Sequence, residues 1–354
     1  MKKTLALVMV IAMMFTVFGC GTGTTDAGTT NAGTSDAGTT DAAATDAGIS
    51  DAGTTEPDYS SLKVAALLPG SVNDNGWNGT AYNALQNLKD KYGVTADYTE
   101  NVSASDMEEF LRGYATQGYS LIICHGSQFT DAVHKVAPEF PDVAFVLSAS
   151  TEGTEQAPNV AGVGAFNSGY LAGAIAAAAT KTGKVAMIGG EDTPSIAEIV
   201  DVFEPGAKHI NPDVEVITTY LGTLTDADKA KEVALNLVKQ EGVDVLCASA
   251  NAAGLGVVQA AQEAGVYCIG FNADQYDQAP EAVIVSVLRN MTAMFENVFL
   301  EVANGTFEPI IYAYKLKDGG TSLSDWHGWD EKLHEVKATV DQLFADLESG
   351  ALDQ

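Results

Sequence analysis

From residue 62 onward, short runs of β-branched and other apolar residues alternate with stretches whose apolar positions recur at helical spacing, and the series runs through twice. KVAALLP (63–69), VTADYTE (94–100), SLIICHG (120–126), VAFVLSA (143–149) and NVAGVGAF (159–166) read as strands, with helices over 79–92, 105–117 and 129–137 among them. Strands alternating with helical crossovers imply a parallel sheet covered by helices on both faces. A helix of small residues at 170–180 leads into the second series: KVAMIGG (184–190), a helix over 194–209, VEVITTYLG (214–222), a helix over 226–240, VDVLCASA (243–250), a helix over 254–264, VYCIGFN (266–272) and AVIVSVL (282–288). Two similar α/β halves joined near 166–169 predict two doubly wound lobes with a cleft between them.

The N-terminus has a different character. Lys2 and Lys3 precede an apolar run from Leu5 to Phe18, too short to span a bilayer and closed by a small residue, which is the pattern of a secretory signal. Val17-Phe18-Gly19-Cys20 resembles the lipobox of bacterial lipoproteins. That resemblance implies a signal peptide over 1–19 and a mature N-terminus at Cys20 carrying diacylglycerol, so that the membrane is met through the lipid anchor only. Residues 20–59 follow a DAGTT repeat with almost no large apolar side chain, which predicts a disordered tether. No later apolar stretch is long enough to span a membrane.

The chain carries 47 acids and 18 bases. Seven of the acids and two lysines precede residue 60, leaving 40 against 16 and a net charge of −24 on the folded part. Such acidity disfavours nucleic acid or an anionic lipid surface as a partner. Cys124, Cys247 and Cys268 lie in strand-like runs, where cysteine acts as a small core residue; a Cys247–Cys268 disulfide is an open alternative. No zinc spacing is present, and the five histidines are scattered, with His125 facing away from Cys124 on its strand, so neither a metal nor another cofactor is expected. GLG (254–256) lacks the GxGxxG spacing, and neither GK[ST] nor the GxSxG elbow occurs. With no activated nucleophile to propose, the chain reads as a binding protein and not an enzyme.

Ligands of open parallel sheets bind beyond the carboxyl ends of the strands. The polar loops of this chain lie there: GSVNDNGWNGTA (70–81), HGSQFTDA (125–132), ANAAGLG (250–256) and FNADQ (271–275). NDNGWNGTA, APEFPDVAFV (137–146), GYLAGAIAAAATKTGKVAMIGG (169–190), NPDVEV (211–216), GLGVVQAAQEAG (254–265) and IGFNADQ (269–275) together resemble the basic membrane protein family. Members are lipoprotein substrate-binding subunits of ABC importers, many of them for purine nucleosides. The resemblance implies the type I periplasmic-binding fold, whose lobes are joined by three crossovers and close on ligand. It also sends the helix after Asn290 back to the first lobe and the tail to the second, giving lobes of 60–167 plus about 289–308 and 168–288 plus about 309–354.

On the same resemblance Trp77 stacks on the base, Asp74 and Asn78 form a polar pair in its loop, and Asp131 lies near the base, with Ser127 in the same loop. Asn272 and Asp274 stand where the family accepts ribose hydroxyl protons, and Arg289 stands where lysine is usual. Asp74 and Asp131 also suit helix capping and a helix first turn. Three positions depart from the family pattern. Ile199 replaces a second aromatic, Asn272 replaces an aspartate, and Asn251 replaces a frequent glycine. The expected function is a monomeric, extracytoplasmic, lipid-anchored protein that takes a purine nucleoside or related heterocycle to an ABC permease. Sugar-binding and sensory proteins on the same fold are the alternatives.

Overall fold

The computed structural model describes residues 58–74, 76–148 and 157–352, and their strands fall into two six-stranded sheets. Cys20, the signal-like segment and the DAGTT repeat lie outside the described residues.

The first lobe is built from β1 (Lys63–Leu67), α1 (Trp77–Tyr92), β2 (Thr95–Thr99), α2 (Met107–Thr116), β3 (Leu121–His125), α3 (Thr130–Val136), β4 (Ala144–Ser148) and β5 (Val160–Ala165). Its strands are parallel, in the order β2-β1-β3-β4-β5. Successive strand residues serve opposite faces: Val64, Ala66, Leu121 and Ile123 pack under α1, while Ala65, Leu67, Ile122 and Cys124 pack under α2 and α3. Both faces are covered over β1, β3, β4 and β5, which is why these four read as continuous apolar runs, whereas the edge strand β2 is largely exposed.

The second lobe repeats the plan with α4 (Ser168–Ala179), β6 (Lys184–Gly189), α5 (Pro194–Asp201), α6 (Phe203–Ile210), β7 (Glu215–Tyr220), α7 (Ala227–Asn236), β8 (Val245–Ser249), α8 (Gly254–Ala264), β9 (Tyr267–Asn272) and β10 (Val283–Arg289). Here the order is β7-β6-β8-β9-β10. The single helix expected over 194–209 is two, broken at Val202. Pro205 lacks an amide hydrogen and its ring crowds the carbonyl four residues back, so one helix cannot run through. α4 and α6 touch backbone to backbone: a Cβ on Gly173 would overlap the Phe203 carbonyl, and one on Gly206 the Tyr170 carbonyl.

Sequence pattern alone revealed no strands past 288. The chain continues through α9 (Met291–Asn304), which packs beside α1, then β11 (Ile311–Tyr314), β12 (Thr321–Leu323), α10 (Trp329–Lys332) and α11 (His334–Glu348). The expected return to the second lobe at about 309 is corrected. β11 pairs in parallel with β5 in the first sheet, and only β12, antiparallel to β10, belongs to the second. The physical reason is the edge: β5 would otherwise leave a row of unpaired backbone groups. The three crossovers are tied together at this point. Thr321 Oγ1 donates to the Phe166 carbonyl at 2.7 Å, the Leu316 amide to Asn167 Oδ1 at 3.4 Å, and the Asn290 amide to the Gly320 carbonyl at 2.9 Å.

Cys124, Cys247 and Cys268 are free and buried. Cys268 stands opposite Leu246 in the ladder, so Cys247 points to the other face of the sheet and the alternative disulfide does not form.

Candidate functional site

In each sheet the strand order reverses direction beside the first strand, at β1/β3 and at β6/β8. Loops on either side of such a point part and leave a crevice at the carboxyl ends of the strands. The two crevices face each other across the cleft, and a cavity of about 140 Å³ lies between them. Trp77, Gly126 and Gln128 line it from the first lobe; Glu191, Ser195, Ile199, Asn251, Asn272 and Arg289 line it from the second.

Asp74 sets the position of Trp77. Its Oδ1 accepts from the amides of Gly76 and Gly79, both at 3.0 Å, and its Oδ2 from the amide and side-chain nitrogen of Asn78 at 2.8 and 2.7 Å. The carboxylate thus satisfies donors of the first turn that have no partner within the helix. Asn78 Oδ1 in turn accepts from the Gly70 amide at 3.2 Å. Both side chains are buried and spent on the loop, and neither lines the cavity. For Asp74 these bonds match the alternative capping role.

Trp77, at the first position of α1, stacks on His125 at the end of β3, with ring centroids 3.9 Å apart and planes 18° from parallel. His125 Nε2 donates to the Trp77 carbonyl at 2.9 Å, and its Nδ1 accepts from the Ser148 hydroxyl at 2.7 Å. These roles require the neutral ring. Burial pushes its pKa down to about 3. Gly126 follows with φ 131°, a left-handed value that allows the chain to turn away from the strand at the cavity wall.

Arg289, the last residue of β10, places its guanidinium carbon 5.0 Å from the centroid of the Trp77 ring. It is 7% exposed, and its Nε is buried without a hydrogen-bond partner. Burial lowers its pKa to about 10, with the charge of Glu198 opposing. Burial also raises the Glu198 carboxyl above the usual range, with Arg289 pulling it back. Asn272 ends the neighbouring strand, in register with Leu288, and its buried Oδ1 likewise has no partner. Asn272 and Asn251 hold φ values of 69° and 46°, which asparagine tolerates better than most side chains. Arg289 and Asn272 also line a second hollow of about 380 Å³, bounded by Thr80 and Asn83 on α1 and by Asp274.

The remaining candidates fall outside the cavity. Ser127 is at its rim, where its hydroxyl shares a 3.1 Å hydrogen bond with Ser195 of the other lobe, so the lobes meet across the cleft. Asp131 is exposed in the first turn of α3. Asp274 borders the second hollow, its Oδ2 2.7 Å from His327 Nε2, and His327 stacks on Tyr276. Sequence reasoning missed His125 as the support of Trp77 and missed the Glu191–Ser195 loop. The polar run EDTPS directly after KVAMIGG was the available signal for the latter. Among the described residues no cluster of His, Cys, Asp and Glu could hold a metal, and no helix is long and apolar enough to cross a membrane.

Residues 61–347 match the family described as ABC transporter substrate-binding protein PnrA-like. The chain is 30% identical to the transcriptional activator protein med of Bacillus subtilis, over 73% of this chain and 80% of that one. It is 29% identical to the ABC transporter nucleoside-binding protein BmpA of Lactococcus lactis, over 83% of this chain and 89% of the other. A crystal structure of an ABC transporter solute-binding protein from Aeropyrum pernix superposes with a TM-score of 0.74 at 24% identity, covering 82% of this chain and 92% of that one. The two lobes accordingly have the type I periplasmic-binding architecture. The chain belongs to the PnrA-like family of ABC transporter substrate-binding proteins and is a non-catalytic solute-binding component of an ABC importer.

Proposed function

We propose that the solute is a purine nucleoside or a related heterocycle, held between the lobes and stacked on Trp77. The observation that carries this reading is Trp77 itself: a large planar ring at the β1/β3 crevice, fixed from behind by His125 and facing a cationic side chain. A base stacked on an aromatic ring contributes about 1–3 kcal/mol. Arg289 now lies over that ring and, with Asn272, borders both the cleft cavity and the second hollow. A ligand that displaced Arg289 would occupy a joined space within the ~300–1,000 Å³ usual for small-molecule sites. Asp274, at the far hollow, then supplies a carboxylate to a ribose hydroxyl, and the similarity to a nucleoside-binding relative supports the same class.

Capture follows from lobe closure. A solute touching both walls binds the closed form better and shifts the population toward it. Ser127 and Ser195 add one hydroxyl bridge to that form. Outside the described residues, Cys20 would carry the lipid that keeps the protein at the outer face of the cell membrane, beside its permease, as a monomer. A thermal-shift screen against adenosine, guanosine, inosine, free bases, hexoses and amino acids tests the ligand class. A ligand at ~100 times its dissociation constant adds about 2.7 kcal/mol. Stabilisation by a purine compound that is absent in Trp77→Ala supports the reading. Stabilisation by a hexose alone refutes it and favours a sugar-binding protein.

A further inference from the structure

Arg289 is a buried cation met by the Trp77 ring and, from a distance, by Glu198, and by no ion pair. It is 7% exposed, its Nε has no partner, and no carboxylate among the described residues reaches ion-pairing distance. Glu198 acts on it only through space. Beside it, on the adjoining strand end, Asn272 presents an equally buried Oδ1 that accepts nothing. Native proteins rarely leave two such atoms in the lining of one cavity, because each buried unsatisfied polar group is destabilising. Both line the cleft cavity. Glu191 also lines the cavity, half-buried, and makes no ion pair with Arg289.

A donor cation next to an amide oxygen complements a ligand edge in which an anionic oxygen or nitrogen is adjacent to an N–H. Building on the proposed heterocycle reading, we propose that the solute is a planar heterocycle that is anionic at neutral pH and presents such an edge to Arg289 and Asn272. Its face lies on Trp77, from which the guanidinium moves to the ligand's rim and donates in plane. A neutral ring of the same shape would satisfy the hydrogen bonds and leave the buried charge uncompensated.

The test is isothermal titration of the full chain at pH 7.5 with urate, a monoanion there, and with hypoxanthine and inosine, which are neutral. Urate is expected to bind at least about tenfold tighter than hypoxanthine, the range of one charge-assisted contact. Arg289→Gln is expected to bring the two within about threefold of each other, and Arg289→Lys, which keeps the charge and loses the planar fork, to preserve a weaker preference for urate. Equal or tighter binding of hypoxanthine or inosine by the wild type overturns the proposal while leaving the heterocycle reading intact. A preference for urate that persists in Arg289→Gln also overturns it. Silence toward all three purines, with a response to a hexose, means that the underlying reading has failed as well.

Discussion

Replacing Arg289 by methionine should stabilise the ligand-free protein. Burial moves the guanidinium down from its ordinary value to about 10, which corresponds to about 3 kcal/mol against the charged form in the native state. The folded pKa lies below the unfolded one, so the penalty is present in full at pH 7.5 and is relieved only as pH rises through about 10 toward the unfolded value. Methionine has similar reach and no charge, and exchanging a buried cation for a packed apolar side chain is often neutral or stabilising by about 1–4 kcal/mol. Two losses oppose the gain: the cation–π contact with Trp77, about 1–2 kcal/mol when desolvated, and the attraction felt by Glu198. The net expectation is about 1–2 kcal/mol of stabilisation, a rise of roughly 2–3 °C in Tm by calorimetry without ligand. The same variant should lose its response to the solute, as binding sites commonly hold strain that the fold alone would not keep. A fall in Tm of similar size would show that Arg289 supports the fold and is not a cation held ready for ligand.

Three further outcomes follow from neighbouring contacts. Ser195→Ala removes the hydroxyl bridge to Ser127; solute affinity should fall about 2–10-fold, and the ligand-free radius of gyration by small-angle X-ray scattering should increase, whereas no change in either would show that the bridge does not favour closure. Asp74→Ala removes the acceptor of four hydrogen bonds at the start of α1 and should lower stability by about 2 kcal/mol, while affinity measured well below the melting range stays within about twofold; a collapse of affinity with intact folding would make Asp74 a ligand contact after all. His125 is neutral when folded, with a pKa of about 3 against 6.5. The unfolded chain therefore takes up a proton first as pH falls below 6.5, and stability declines by about 1.4 kcal/mol per pH unit down to about 3. Urea midpoints at pH 7 and pH 5 should show about 2 kcal/mol of this loss in the wild type and none of it in His125→Phe; equal losses in both would contradict a buried neutral ring.

The lobes were legible because burial on both faces forces each central strand into an uninterrupted apolar run, and helical spacing separates the runs. β11 escaped because IYAY is four residues long and half tyrosine, and what makes it a strand is the vacant edge of β5, 146 residues or more earlier in the chain. The break in the 194–209 helix was present in the sequence as Pro205, and its cause was overlooked. In the cleft, Trp77, Ile199, Asn251, Asn272 and Arg289 were found through loops at strand ends and family likeness. For Asp74 both a ligand contact and helix capping were legible, and local pattern could not choose between them, since a loop's own amides compete for a carboxylate as readily as a solute does. Ser195 and His327 act through partners 68 and 53 positions away. Such pairings depend on lobe closure and crossover geometry, to which local pattern is blind.

The most direct test of the account is a crystal structure of the full chain with the purine compound that stabilises it most. The account predicts a ring lying parallel to Trp77 in the space where Arg289 now stands, Arg289 turned to the rim of that ring, and Asn272 Oδ1 accepting from it. A compound bound elsewhere, with Arg289 still over Trp77 and Asn272 Oδ1 still unpaired, would contradict it.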